Sequence, residues 1–324
     1  MGLIARVMAS FSQIPWSTPW LAWGVLPIAM ANLGYWLPML FLEGLLTTKW
    51  AQSRLVEHHI FIKRRTKIEE DRRKVASLSE QIKSSAWALL GPNAFVNGAL
   101  SAILLPACAG YTHEHLPSAM AMMWHLLLME LIGDLGLYWG HRIQHESDYL
   151  WRKFHSKHHS IGTPTAASTV YIDPVDATLQ AGLPVILATA LVRPHPLTYN
   201  VYIALRIGEN VLNHSGLDSW VVDVLSLKFL PGRARIAHHD YHHYYSNYSR
   251  NAKNYGENFW LWDWAFGTLS KQAGKKRSKM IAKTSSKTNS DAAAASPEGV
   301  DLSPRRVEAF PVGADDDVTS KKRD

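Results

Sequence analysis

The sequence predicts an all-α integral membrane bundle of about four to five membrane segments, two of them paired as a hairpin, under a cytosolic histidine-rich cap. Three observations predict it. Apolar runs of ~20 residues recur, and at ~1.5 Å per residue such a run crosses a ~30 Å hydrocarbon core. Charged residues are confined largely to 49–83, 142–157 and the region after 270, so polar and apolar stretches alternate along the chain. Finally, many of the sixteen histidines gather in short clusters directly after apolar runs.

The first apolar segment runs from Trp20 to Leu46. It is too long for a signal-peptide core and no small-residue cleavage pattern follows it, so it is read as retained. The second extends from Ala86 to Gly110 and the third from Ala119 to Gly140. A fourth region, Ala177 to Leu212, is interrupted by "RPHP" at Arg193–Pro196 and reads as two antiparallel legs around a tight turn; Pro184 leaves the first leg barely long enough to span. After Ser270 the composition turns to Lys, Ser, Ala, Asp and Pro, which cannot bury enough apolar surface to fold, so residues 271–324 are expected to form a disordered cytosolic tail. The tail ends in "KKRD", which resembles a dilysine signal for retrieval to the endoplasmic reticulum.

Charge sets the orientation. The stretch between the first two segments carries Lys49, Arg54, Lys63, Arg64, Arg65, Lys67, Arg72, Arg73, Lys74 and Lys83, whereas "YTHEHLPS" at Tyr111–Ser118 has no Lys or Arg. By the positive-inside rule the first loop is cytosolic and the second lumenal. The third segment then delivers its C-terminal end to the cytosol, and the hairpin returns there, so all histidine clusters fall on one side. Basic juxtamembrane loops account for the net charge of +7 without a nucleic-acid partner. The single cysteine, Cys108, excludes an intrachain disulfide and a thiolate metal site, leaving His and carboxylates as ligands.

His141 and His145 are spaced i, i+4, which places both rings on one helical face. His155, His158 and His159 are spaced i, i+3, i+4, and His239, His242 and His243 repeat that pattern. With His214 at the end of the hairpin, these nine imidazoles exceed the four of one tetrahedral site and suit two metal ions. Imidazole accepts Zn, Fe, Cu or Ni, so spacing does not choose the metal. His58, His59, His113, His115, His125 and His195 lie too far from the clusters in this topology and are assigned surface or packing roles.

Glu130, Asp134, His141 and His145 share one face of the third segment, while Arg206, Asn210 and His214 form a comparable stripe on the last leg. Carboxylates within a membrane helix are costly and usually face the bundle interior. The expectation is that the stripes face each other, that Glu130 or Asp134 pairs with Arg206, and that Asn210 reaches a metal through water. His238 is a possible additional ligand, and Asp240 and Glu146 are candidates to orient ligand imidazoles.

"HRIQH" from His141, "HSKHH" from His155 and "HHDYHH" from His238 resemble the three histidine boxes of the fatty acid hydroxylase superfamily of membrane di-iron oxygenases. "NHSGLDSW" from Asn213 is similar to a stretch of its sterol-modifying members, and "NFWLWDWAFGT" from Asn258 resembles the family's closing W-D-x-x-x-G-T. One departure is "DPVD" at Asp173–Asp176, where 4-methyl sterol oxidases carry H-P-A-E. The resemblance implies two irons per chain, dioxygen, and electrons from NAD(P)H passed by a reductase and a cytochrome b-type carrier. It divides the chain into an N-terminal membrane segment and basic loop (1–85), a catalytic membrane domain (86–270) and the tail.

The activity it implies is hydroxylation or desaturation of a sterol-type lipid at the endoplasmic reticulum membrane, with a fatty acyl or sphingoid chain as the alternative substrate. The lipid body is expected to enter between the third segment and the hairpin. A metal transporter would string its ligands along a path through the bilayer, whereas these gather at one face. A zinc-dependent lipid hydrolase needs an open position for water, which nine ligands leave little room for.

Overall fold

The computed structural model describes residues 14–57, 65–109, 115–245 and 252–270, and these are helical with no strand among them. His58, His59, His113 and the dilysine-like tail lie outside the described residues. The described residues belong to one unit, Met1–Gly274.

Four helices are long and apolar enough to cross a membrane. The first, α1 (Trp20–Thr47), opens with a π-helical stretch, Trp20–Val25. Two short helices of the basic region follow, α2 (Lys49–Glu57) and α3 (Arg65–Lys74). The second candidate span is built from α4 (Leu78–Leu90) and α5 (Pro92–Ala109). It starts eight residues before the expected Ala86, because Ser77 and Glu80 form a reciprocal capping box that nucleates the helix there. The third, α6 (Ala119–Glu146), continues six residues past Gly140 as one uninterrupted rod and thereby carries His141 and His145.

A short mixed helical segment, α7 (148–159), precedes α8 (Pro174–Val192), the fourth span. The turn at Arg193, with φ 54° and ψ 54°, reverses the chain into α9 (Pro196–Ser215), whose first turn is capped by the His195 ring. Three small helices follow among the described residues: α10 (Trp220–Leu225), α11 (Ile236–Tyr245) and α12 (Trp260–Ala265).

The hairpin is therefore real, but its two legs differ. Helix α8 presents Leu183, Leu187 and Leu191 outward, as α1 presents Leu33, Leu37 and Phe41 and α6 presents Met123, Trp124 and Leu127. In water such a belt would be a large exposed apolar patch; lipid tails are its natural solvent. Helix α9 is the bundle's interior member, with Leu197, Tyr199, Tyr202, Arg206 and Val211 buried, and it packs along α1.

Two glycine contacts set how closely these rods approach. A Cβ at Gly34 of α1 would overlap the Ala204 carbonyl of α9, and a Cβ at Gly140 of α6 would overlap the Leu179 carbonyl of α8. Small residues let membrane helices touch backbone to backbone, where dispersion replaces the missing hydrophobic drive. Gly136 meets Pro184 in the same seam, and Gly133 meets the Tyr202 hydroxyl of α9. That seam brings α6 and α8 into backbone contact below the histidines.

On the histidine side, α3 clamps the bundle. Arg72 pairs with Glu43 of α1 at 2.6 Å, and the other Glu43 oxygen accepts from the Ala167 amide at 3.0 Å. Asp71 accepts from the Thr163 amide at 2.6 Å. The basic region is thus tied to the loop that follows the second histidine cluster.

Candidate metal centre

Four elements bring the histidines together. The C-terminal end of α6 supplies His141 and His145; α7 supplies His155, His158 and His159; α9 supplies His214; α11 supplies His239, His242 and His243. They sort into two groups, His141, His145, His155, His159 and His242 in one and His158, His214, His239 and His243 in the other. Within each group the candidate ligand atoms lie within 4.8 Å of one another, and all nine residues are buried. The i, i+3, i+4 spacing of α7 and α11 is what splits them: neighbours on the chain, His158 and His159, face different groups.

Four of the Nδ1 atoms face outward to acceptors. His141 Nδ1 donates to the Tyr255 carbonyl at 2.8 Å, His242 Nδ1 to the Lys253 carbonyl at 2.7 Å, and His214 Nδ1 to the Asn210 carbonyl at 2.9 Å. His155 Nδ1 donates to the Asp176 carboxylate at 2.9 Å. A carbonyl or carboxylate can only accept, so these four rings carry their proton on Nδ1 and leave an Nε2 lone pair pointing inward.

The inward atoms then crowd. Nε2–Nε2 separations are 3.0 Å for His155–His145, 3.2 Å for His145–His159 and 3.2 Å for His159–His242. With His155 and His242 fixed as acceptors, no choice of tautomer for His145 and His159 makes all three contacts hydrogen bonds. One contact is always lone pair on lone pair or proton on proton. His141 Nε2 is buried with no hydrogen-bond partner at all. In the second group the corresponding separations are 3.2 to 3.4 Å. Nitrogens ~2.1 Å from a shared cation stand about 3.0–3.4 Å apart, depending on the angle between them. The donor set therefore fits a metal ion in each group.

Burial also keeps the rings neutral. It pushes His155, His158, His159, His239, His242 and His243 well below the usual histidine range, and neighbouring imidazoles push the same way. Neutral imidazole is the ligand form.

Asp176 has no place among the residues that spacing singles out. It is fully buried, and besides His155 it accepts from Gln144 at 3.1 Å and from Gln180. It belongs to "DPVD", so the stretch that departs from the family pattern still brings a carboxylate to a histidine. Asp263, in "WDWAFGT", is the second such residue. Its carboxylate accepts from the Tyr255 and Gly256 amides at 2.8 and 2.9 Å and from the Thr268 hydroxyl at 2.7 Å. It thereby shapes the turn whose carbonyl holds His141. Neither role leaves a periodic trace in the sequence.

The remaining expected residues divide. The two stripes do face each other: Arg206 lies 3.4 Å from Glu130 and 3.6 Å from Asp134, with Glu257 at 4.0 Å. Asp134 also accepts from the Asn258 and Phe259 amides, both at 3.0 Å. The Asn210 side-chain oxygen is buried without a hydrogen-bond partner. His238 belongs to neither group and sits 3.2 Å from Asp263. Glu146 turns outward to Arg142 at 2.7 Å, because a helix position one past His145 points away from that ring's face. Asp240 is half-buried on α11 and joins neither group.

Residues 126–268, which contain all nine histidines, match the model of the fatty acid hydroxylase family. The match covers less than half of the chain. The chain is similar to methylsterol monooxygenase 2-2 of Arabidopsis thaliana, 36% identical over 127 residues, which is 39% of this chain and 46% of that protein. It is similar to methylsterol monooxygenase 1-2 of the same plant, 32% identical over 39% of this chain and 40% of the relative. It is also similar to the very-long-chain aldehyde decarbonylase GL1-8 of Oryza sativa subsp. indica, 34% identical over 39% of this chain and 45% of the relative. The matches thus span less than half the length of these relatives. No solved structure matches the chain.

Proposed function

We propose that the protein is a membrane di-iron monooxygenase that hydroxylates or desaturates a sterol-type lipid. The observation that carries the reading is the pair of buried imidazole groups at one end of membrane-length helices, both with ligand spacing and one crowded in a way that only a cation relieves. The match of residues 126–268 to the fatty acid hydroxylase family supports iron, and the methylsterol names among the relatives support a sterol-type substrate. His141, His145, His155, His159 and His242 would hold one iron, and His158, His214, His239 and His243 the other. Iron bound there would supply the dioxygen activation that oxidation of an unactivated C–H bond requires.

The chain's own residues do the rest. Asp176 and the carbonyls of Lys253, Tyr255 and Asn210 hold four rings in one tautomer, so no reorganisation is needed when the ligands engage. The Glu130–Asp134–Arg206 cluster closes the floor of the site and ties α6 to α9. Electrons are proposed to come from NAD(P)H through a cytochrome b-type carrier and its reductase, docking on the cytosolic face of an endoplasmic reticulum membrane. Residues 86–270 are proposed as the catalytic domain, resting on α1 through its contact with α9.

The test is a purified, detergent- or nanodisc-held enzyme given 4-methyl sterols, dioxygen and a reducing system, with products identified by mass spectrometry. Two irons per chain and an oxygenated or desaturated sterol are expected. Oxidation of a long-chain aldehyde, acyl or sphingoid substrate but no sterol would move the substrate class. No oxidised lipid of any class from an iron-replete sample would overturn the reading.

A further inference from the structure

The segment between α9 and α11 has its polarity inside out. Between residues 220 and 231, all eight exposed side chains are apolar. Trp220 is 75% exposed, Leu225 80% and Phe229 60%. The polar side chains of the same stretch point inward. Asp223 pairs with Arg235 at 2.5 Å, and the Ser226 hydroxyl donates to the Val222 carbonyl at 2.6 Å. Lys228 is buried and pairs with Glu209 at 2.8 Å. An element that meets water is arranged the other way round.

Its ties fix its depth. Glu209 lies five residues before His214 on α9, about 7.5 Å further into the bundle. Lys228 and Arg233 both reach Glu209, and Arg233 also lies 3.6 Å from Glu130 on α6. Glu130 precedes His141 by eleven residues, about 16 Å along the helix. The segment therefore folds back from the end of α9 alongside the membrane-length helices rather than rising above the metal centre. Its backbone groups are largely satisfied within the turn, through Ser226 to Val222, Lys228 to Asp223 and Leu230 to Leu227, as a segment in lipid requires.

We infer that residues 220–231 form a wedge inserted into the bilayer leaflet on the side of the metal centre, with Trp220, Leu225 and Phe229 in contact with lipid. The occupant of this face is the membrane because the face continues the lipid-facing belt of the four spanning helices at the same depth. It is held there by buried ion pairs to α9 and α6. This inference does not depend on the reaction the site performs.

The test places single cysteines in the full chain, reconstituted in phospholipid vesicles, after Cys108→Ala. Leu225→Cys and Phe229→Cys carry an environment-sensitive fluorophore. Leu37→Cys on the outer face of α1 is the lipid reference, and Tyr149→Cys on α7 the aqueous one. Brominated phospholipids should quench positions 225 and 229 to a similar extent as position 37 and several-fold more than position 149. Positions 225 and 229 behaving like 149 would overturn the wedge. A photoreactive residue at 225 in the chain that retains Cys108 gives a second readout, independent of how Cys108→Ala folds. Cross-links to phospholipid acyl chains support the inference; cross-links to a second copy, to a soluble protein or to no lipid refute it.

Discussion

Arg206 shows what a single charge does in this fold. It is 8% exposed and faces Glu130, Asp134 and Glu257, so one guanidinium is shared among three carboxylates, of which Glu130 also meets Arg233. Removing one partner of a buried pair typically costs about 3–5 kcal/mol, because the orphaned charge remains. Arg206→Ala is therefore expected to lower thermal stability sharply, and Arg206→Lys to recover only part of it, since one ammonium cannot reach all three acids. A differential scanning measurement on both variants checks this; unchanged melting in Arg206→Ala would mean the cluster is solvated. Asp176 supplies the matching prediction for the site. Asp176→Ala should reduce metal affinity about 10–100-fold, by loss of the carboxylate that orients His155. Asp176→Glu should retain more of it than Asp176→Ala, as measured by metal content after dialysis against a chelator.

At the scale of elements, periodicity and spacing carry far. The apolar runs mark α1, α6 and the hairpin, and the i, i+4 and i, i+3, i+4 patterns mark the histidines of α6, α7 and α11. They do so because a helix fixes which side chains share a face, and that rule is local. The α4 start was hidden because Ser77 and Glu80 act through a cap rather than through hydrophobicity. Asp176, Asp263 and the Lys253 and Tyr255 carbonyls were hidden for a different reason: each meets its histidine across 11 to 114 residues, beyond any helical period, and backbone acceptors have no residue signature. The α6–α8 seam yields a prediction of its own. Gly140→Val should separate the helices, displacing His141 and His145, so that metal content falls together with melting temperature. Gly44→Val, where nothing lies within 4 Å of an added Cβ, is the control that should leave metal content unchanged.

For the whole molecule, the buried imidazoles couple folding to pH. Six rings outside the spans have folded-state values well below ~6.5, while the unfolded chain titrates near ~6.5. Below that pH the unfolded state binds more protons than the folded one, so stability present above pH ~6.5 is lost as pH falls. Each ring can contribute up to about 1.4 kcal/mol per pH unit in that window. Metal-stripped protein should thus melt at progressively lower temperature from about pH 7 to about pH 5.5, and a metal-loaded sample should start from a higher melting temperature and begin to lose stability at the same pH, where the unfolded chain takes up protons. A flat profile for stripped protein would mean the rings are hydrated.

The division of α7 and α11 between the two imidazole groups has a kinetic corollary. His158 and His159 are joined by one peptide bond yet serve different groups, as do His242 and His243. Drawing one set of rings around an ion consequently freezes the backbone that aims the other set. The second ion should then arrive at a pocket already assembled, so partial titration ought to yield chains carrying none or two, with singly loaded chains scarce in native mass spectra.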